Sequence, residues 1–319
     1  MKVLITGATG LVGTAIVNEL HKKGIQVNYL TTQKNKIKND EDYQGFHWNP
    51  SKGVLDSECF KGVGAIINLA GASISERWTK SYKEKILNSR INSLRTLKKG
   101  LESIDTSKIK TFVTASAIGI YPNSLINFYD EGETAIDDSF LGEVVHAWEQ
   151  EADSFDTFNF QLAKIRIGLV LSTEGGALPK LALPIKNYLG AAMASGEQWQ
   201  SWIHIDDLAR MFVYVIFNEL QGTFNGVAPN PVTNTKLTNE LASVLGKKIL
   251  LPNIPKAMLQ LILGEMAYIL WASQRVSSKK IEKSGFTFNH LNICRALEDL
   301  YQNNGGKRVH SDSFQKEFV

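Results

Sequence analysis

The chain has 319 residues, with 35 Lys plus Arg against 32 Asp plus Glu and a formal charge of +3. That length exceeds one ordinary domain, so a main domain with a smaller appendage is expected. The near balance of charge gives no ground for a nucleic-acid partner or an anionic membrane surface. Cys59 and Cys294 are the only cysteines and supply neither a disulfide framework nor a metal cluster, which fits a reducing cytoplasm.

In chain order, the opening MKVLITGATG sets a charged residue before an apolar stretch, yet the turn at Thr6–Gly10 breaks it before a secretory core forms. It reads as a first buried strand, Lys2 to Thr6. TGATGLVG (Thr6 to Gly13) then leads into a helix expected from about Leu11 to Lys23, with Val12, Ile16 and Leu20 at four-residue spacing. Gly7, Gly10 and Gly13 allow a sharp turn, close approach to a pyrophosphate and tight packing of helix on strand. The first helical turn directs its N–H groups at the anion without a lysine, so the pattern predicts a bound dinucleotide.

The second strand, Ile25 to Leu30, ends in Thr31, Thr32, Gln33 and Lys34. A carboxylate for the ribose hydroxyls would sit about 20 residues past the glycines, and none is there. Hydroxyls with Lys34 and Lys36 suit a 2′-phosphate, so NADP is expected, with NAD as the alternative and a solvated loop as the bland reading.

Apolar runs at Ala65–Leu69, Thr111–Ser116 and Leu162–Leu171, with a short one at Phe46–Trp48, alternate with helical stretches. This is the arithmetic of an α/β fold, a Rossmann-type doubly wound parallel sheet. After Leu171, Gly175, Gly176, Pro179, Pro184 and the stretch Gly190–Gly196 suggest irregular structure over a cleft. Trp202 to Asp207 reads as a strand feeding a helix, Leu208 to Phe217, with Asp206 or Asp207 at the N-cap. Ile254 to Trp271 is membrane-like but interrupted by Lys256, Gln260 and Glu265, so no spanning helix is expected. The expected division is a dinucleotide-binding domain over 1–172, rejoined by 201–224, and a smaller, mainly helical substrate domain from 173–200 and 225–319. Gln302 to Val319 is polar enough to be loosely held.

TGATGLVG (6–13), NLAGASISERWT (68–79), SRINSLRTL (89–97), TASAIGIY (114–121), WEQEA (148–152), RIGLVLSTEGGAL (166–178), GEQWQSWIHIDDLA (196–209), FNGVAPNPVTN (224–234) and SQRVSSKKIEKSGF (273–286) resemble landmarks of the extended short-chain dehydrogenase/reductase superfamily. The closer resemblance is to its atypical epimerase-like branch, in the NAD-dependent epimerase/dehydratase group, with an extra C-terminal domain of the DUF1731 type. The resemblance implies that Gly7, Gly10, Leu11 and Val12, with Thr9 and Gly13 in the same turn, meet the pyrophosphate. It implies further that Thr31 and Thr32 stand at the ribose end, that Leu69, Ala70 and Gly71 lie along the cofactor, and that Ser116 approaches the nicotinamide. Thr32 and Pro122 depart from the branch, which often shows an arginine and a glycine there.

Typical members of the superfamily use a tyrosine that exchanges a proton with the substrate and a lysine four residues on that lowers its pKa. Phe140 to Ala152 contains neither. Ser116 at a strand end, or Ala117 if the match slips by one, and Tyr121 downstream are the catalytic candidates; local hydrogen bonding is the rival explanation. Glu143 and His146 can share a helix face and read as solvated. His204, Asp206 and Asp207 converge poorly for a metal, so none is expected and capping is favoured. Arg77 and Arg275 are candidates for a substrate phosphate or carboxylate, and Trp202 for stacking, against surface pairing and core packing.

The expected function is an NADP(H)-binding oxidoreductase or epimerase acting on a small polar molecule, with a nucleotide sugar among the candidates. The alternative is a cofactor-binding module without turnover that acts through a protein partner, since some relatives carry a cell-division-inhibitor label. A homodimer is compatible with the sequence, though no feature of the sequence demands one.

Overall fold

A computed structural model describes residues 1–302. Strand β1 (Lys2–Thr6) runs through the glycine turn into helix α1 (Leu11–Lys22), followed by β2 (Gln26–Thr31), β3 (Tyr43–Asn49), β4 (Val54–Leu55) and β5 (Val63–Asn68). Helix α2 (Lys80–Leu101), β6 (Thr111–Ala117), the short β7 (Phe128–Tyr129), α3 (Phe140–Asp153) and β8 (Gln161–Ile167) come next. Outside the main sheet lie β9 (Leu169–Leu171), α4 (Leu178–Lys186), β10 (Trp199–Gln200), β11 (Trp202–His204) and α5 (Ile205–Phe217), and only then does β12 (Gly222–Gly226) complete it. Then follow β13 (Val232–Thr233), α6 (Asn234–Val244), α7 (Lys256–Leu263), α8 (Tyr268–Trp271), β14 (Arg275–Val276), α9 (Lys279–Lys283) and α10 (Ile293–Gln302).

The eight-stranded sheet has the order β12-β8-β6-β5-β1-β2-β3-β4 and is parallel except for β4. The chain winds outward from β1 to β3, then returns to β5 on the other flank. The order therefore reverses between β1 and β5, and ligands of such sheets bind outside the carboxyl ends of the strands at that reversal. Val3, Leu4, Ile5, Ile66 and Ile67 are fully buried, as expected for strands covered on both faces. Ile16 and Leu20 bring the apolar stripe of α1 onto one face, against α5 as well as the strands.

The run expected as one strand from Leu162 to Leu171 is broken at Gly168. β8 stays in the main sheet, while β9 turns out of it and pairs in parallel with β11. A Cβ at Gly168 would lie 2.2 Å from the Ser201 carbonyl oxygen, so the crossing admits no side chain. Beyond it a second apolar cluster forms, with Leu178, Trp202, Leu237, Leu241 and Leu297 buried between α4, α6 and α10. Ile254–Trp271 proves to be two short helices joined by a turn, and no described helix is long and apolar enough to cross a membrane. The tail expected to be loosely held falls on 303–319, outside the described residues.

Gly13 sits where α1 crosses the turn, and a Cβ there would come within 2.2 Å of the Gly7 carbonyl oxygen and 2.7 Å of Ala8 Cα. Gly13→Ala should therefore lower stability by about 1–3 kcal/mol, the usual cost of overpacking. Denaturant unfolding measures this, and a loss below about 0.5 kcal/mol would show that the turn relaxes freely.

Candidate functional site

Gly7 adopts φ +72°, a conformation that side-chain-bearing residues rarely take, and its carbonyl accepts from Gly10 N–H at 3.0 Å. Gly10 then serves as the N-cap of α1 with no side-chain cap, and no acidic residue stands in the first turn. The N–H groups of Leu11, Val12 and Gly13 are left at the electropositive end of a helix, an arrangement that receives anions. Thr9 and Gly10 are exposed on the rim of this turn, and Leu11 and Val12 are half-buried.

The facing loop follows β5. Thr6 Oγ1 donates to Asn68 Oδ1 at 2.7 Å and accepts from Leu69 N–H at 3.0 Å and Ala70 N–H at 3.1 Å. Asn68 Nδ2 in turn donates to Thr114 Oγ1 at 3.2 Å, so the carboxyl ends of β1, β5 and β6 are joined by buried polar side chains. Further along, Ala72 N–H donates to Ser89 Oγ and Arg90 Nη1 donates to the Ala72 carbonyl. The Arg90 guanidinium lies under Gly71 and 5.1 Å from the Trp148 ring centroid, and burial pushes its pKa down to about 10.

At the ribose end Thr31 is buried and its Oγ1 accepts from Gln33 N–H at 3.1 Å, whereas Thr32, Lys34 and Lys36 are exposed. The two lysines share a single helical turn directly after β2.

Ser116, Arg166 and Asn225 stand side by side in register across β6, β8 and β12. Ser116 Oγ donates to Glu149 Oε1 at 2.5 Å, and Arg166 grips the same carboxylate through Nε and Nη2, both at 2.8 Å. Arg166 Nη1 also donates to the Tyr121 hydroxyl at 2.9 Å, which donates to Asn225 Oδ1 at 2.7 Å. Burial pushes the Glu149 pKa up, but the bonds from Arg166 outweigh it and hold the carboxyl below its usual range. Burial likewise raises Tyr121, to about 12.

Comparison with known proteins gives this arrangement its family. A profile of the NAD dependent epimerase/dehydratase family matches residues 3–225, and one of a domain of unknown function (DUF1731) matches 254–300. The chain belongs to the NAD dependent epimerase/dehydratase family. It is 36% identical over 301 residues to an epimerase family protein of Staphylococcus aureus (strain N315), covering 93% of this chain and 98% of that one. Among solved structures it is similar to the human epimerase family protein SDR39U1 (isoform 2) with NADPH, at TM-score 0.83 and 27% identity over 95% of this chain and 100% of that one. It is also similar to a nucleoside-diphosphate sugar epimerase from Corynebacterium glutamicum, at TM-score 0.76 and 28% identity, covering 95% of this chain and 58% of that one.

Within this family fold the expected site residues have different surroundings. The glycine turn and the Leu69–Gly71 loop flank the strand-order reversal between β1 and β5. Ser116 differs from the expected open strand end: it is buried and its hydroxyl turns toward α3, because a carboxylate there accepts it. Alternation along β6 sends Ala117, half-buried, to the opposite face. Tyr121 is fully buried with both neighbours of its hydroxyl fixed. Trp202, a stacking candidate, is instead a core residue with no exposed surface, its Nε1–H donated to the Asn230 carbonyl. Arg77 is exposed on the loop between β5 and α2, and Arg275 is half-buried between the rings of Trp199 and Phe128. Glu143 is exposed and His146 half-buried on α3, which carries no tyrosine or lysine.

Glu149, Arg166 and Arg90 are residues of this region that sequence reasoning misses. A signal exists for the first two: Arg166 inside the otherwise apolar run IRIGLVL, and Glu149 on the apolar face of α3, point to a buried ion pair.

The expected cap of α5 moves from Asp206 or Asp207 to His204, whose Nδ1 accepts from Asp206 N–H at 3.1 Å. Its proton is thereby assigned to Nε2. Asp207 reaches instead to Asn289 N–H, His290 N–H, His290 Nδ1 and Arg210. The His204 and His290 rings stack with centroids 3.7 Å apart, and Asp299 Oδ2 lies 3.5 and 3.4 Å from their Nε2 atoms. The ligand atoms of His204, His290 and Asp299 fall within 4.8 Å of one another. Yet stacked rings aim their in-plane lone pairs in parallel, and the capping bond leaves His204 Nε2 protonated, so the geometry suits a proton on His290 better than a cation. Burial lowers His290, but Asp207 and Asp299 outweigh it and raise its pKa. Burial and the charge of His290 push His204 down to about 4.

Two outcomes follow from these contacts. Glu149→Gln leaves the Arg166 guanidinium buried without its counter-ion and should cost about 3–5 kcal/mol in equilibrium unfolding; a neutral effect would mean that water replaces the carboxylate. On titration followed by imidazole NMR, His290 should lose its proton above pH 6.5, while His204 should stay neutral until about pH 4. His290 then contributes stability that is full below pH 6.5 and is lost as the pH rises through its raised value. Two coincident transitions near 6.5 would contradict the stack.

Proposed function

We propose that this chain binds NADP(H) and uses it as an oxidoreductase or epimerase on a small polar substrate lodged beyond the carboxyl ends of β1, β5 and β6. The observation that carries the reading is the uncapped first turn of α1 facing the Leu69–Gly71 loop across the strand-order reversal. Backbone N–H groups of Leu11, Val12 and Gly13 hold the pyrophosphate, with Gly7, Thr9 and Gly10 forming the turn. Leu69, Ala70 and Gly71 lie along the nicotinamide half. Thr31, Thr32, Lys34 and Lys36 receive the 2′-phosphate, in keeping with the NADPH bound by the human relative. When bound, the cofactor would supply a hydride from NADPH in a reduction, or as NADP+ would take one and return it in an epimerisation. Nucleotide sugars are the candidate substrates, because the Corynebacterium glutamicum neighbour is a nucleoside-diphosphate sugar epimerase.

One observation favours a second reading, a dinucleotide-binding module acting through a protein partner. Helix α3 offers no proton-exchanging tyrosine and no lysine, and the hydroxyls of Ser116 and Tyr121 are both engaged inside the protein. For Ser116 to orient a reacting oxygen, its bond to Glu149 must open.

Calorimetry and turnover separate the two readings. NADPH should bind more tightly than NADH, and Lys34→Glu should weaken NADPH about tenfold while leaving NADH unchanged, the size of one charge-assisted contact. Equal affinities would remove the NADP preference. Across a carbonyl and nucleotide-sugar panel, oxidation of bound NADPH by a carbonyl, or epimerisation of a nucleotide sugar by the NADP+-loaded chain, supports the enzyme. Tight NADPH binding with no conversion anywhere in that panel supports the module.

A further inference from the structure

Arg275 is held differently from the other interior arginines. Arg166 is paired with Glu149, Arg210 with Asp207, and Arg90 donates to two carbonyls. Arg275 takes part in no ion pair among the described residues. Its guanidinium lies 4.4 Å from the Trp199 ring centroid and 5.1 Å from that of Phe128, and its Nε is buried with no hydrogen-bond partner. Ring faces attract the cation but give its N–H donors no lone pair in the plane where those donors point.

The Trp199 ring is anchored by a hydrogen bond, and the backbone of Phe128 is held by strand pairing. Trp199 donates its backbone N–H to Ser273 Oγ and its Nε1–H to the Leu125 carbonyl, while Phe128 pairs in register with Arg275 between β7 and β14. The cation is thus oriented in advance, and binding a partner costs little further ordering. Around it, Leu125, Ile126 and Phe128 are exposed on the segment that leaves the carboxyl end of β6. A positively charged group with no described counter-ion, bordered by exposed apolar side chains, fits an anion that carries an apolar body.

We infer that Arg275, clasped by Trp199 and Phe128, receives the carboxylate or phosphate of an amphipathic substrate whose apolar part rests on Leu125 and Ile126. This rests on the proposed entry of substrate beyond the carboxyl end of β6, and it favours an acid with an aryl or alkyl body over a nucleotide sugar. The guanidinium presents two parallel N–H donors to such a group, which lysine does not reproduce.

Calorimetric titration of the NADPH-treated full chain with benzoate, phenyl phosphate, methyl benzoate and inorganic phosphate tests it. Benzoate or phenyl phosphate should bind at least tenfold more tightly than the uncharged ester and than phosphate alone, and the tighter of the two acids names the anion. Arg275→Met should abolish that difference and leave the NADPH dissociation constant within twofold, with Arg275→Lys intermediate. Equal binding of benzoate and its ester, or full benzoate affinity in Arg275→Met, overturns the assignment. If Arg275→Met does not fold, the ¹⁵Nε resonance of Arg275 in the parent chain decides: it shifts on adding benzoate, or the assignment falls. NADPH binding is read in the same samples. In the parent chain, no preference for the acid together with intact NADPH binding overturns this inference alone, and the converse overturns only the cofactor reading.

Discussion

The Thr6 hydroxyl holds together the two walls of the crevice at the strand-order reversal. It gives its proton to Asn68 and receives the N–H groups of Leu69 and Ala70, so the end of β1 and the start of the loop after β5 cannot separate without stranding buried polar atoms. Because β1 and β5 are the strands between which the winding reverses, this bond sits where a parallel sheet opens a crevice. The glycine turn on one side and the Ala70–Gly71 backbone on the other inherit their spacing from it. Leaving both loops free of bulky side chains lets backbone groups, which do not change rotamer, face a ligand.

A second buried system lies on the β6 side of the sheet and serves a different purpose. Ser116, Glu149, Arg166, Tyr121 and Asn225 tie β6, β8, β12 and α3 into one block, and Asn225 Nδ2 carries the connection to the Ser277 carbonyl next to β14. Buried ion pairs contribute little net stability once desolvation is counted, but removing one partner is costly, so such a pair fixes arrangement more than it adds stability. Here it fixes the hydroxyls of Ser116 and Tyr121 inside the protein. The family's fold is kept while the groups on α3 that typical relatives use are absent, which shifts attention from acid–base chemistry to how substrate is held. Fold alone does not name a reaction.

The C-terminal unit is joined to the sheet by crossings rather than by a hinge. At Gly168 the chain leaves the sheet because no side chain fits against Ser201, and at Asp207 a fully buried carboxylate gathers two backbone N–H groups and an imidazole from residues 289–290. These contacts, from residues far apart in sequence, bring Arg275 beside Trp199 and Phe128 and set His290 on His204.

The glycine turn, the alternation of buried strands with amphipathic helices and the lack of an acid after β2 were legible in the sequence, because each depends on neighbours within a few residues: backbone geometry at Gly7, period on α1, the chemistry of Thr31 and Thr32. Side-chain direction was not. Ser116 lies at a strand end, but whether its hydroxyl meets the cleft or Glu149 depends on a helix 33 residues away, and Trp202 became core because β9 and β11 pair. His204 displaced the aspartates as a cap since a ring nitrogen can accept the same N–H. Sequence by itself determined the local backbone path and therefore the anion-receiving turn. Only the tertiary structure decided which polar groups neutralise one another, since that is set by long-range contact and desolvation, and so that the Arg275 guanidinium lies between two rings with no counter-ion among the described residues.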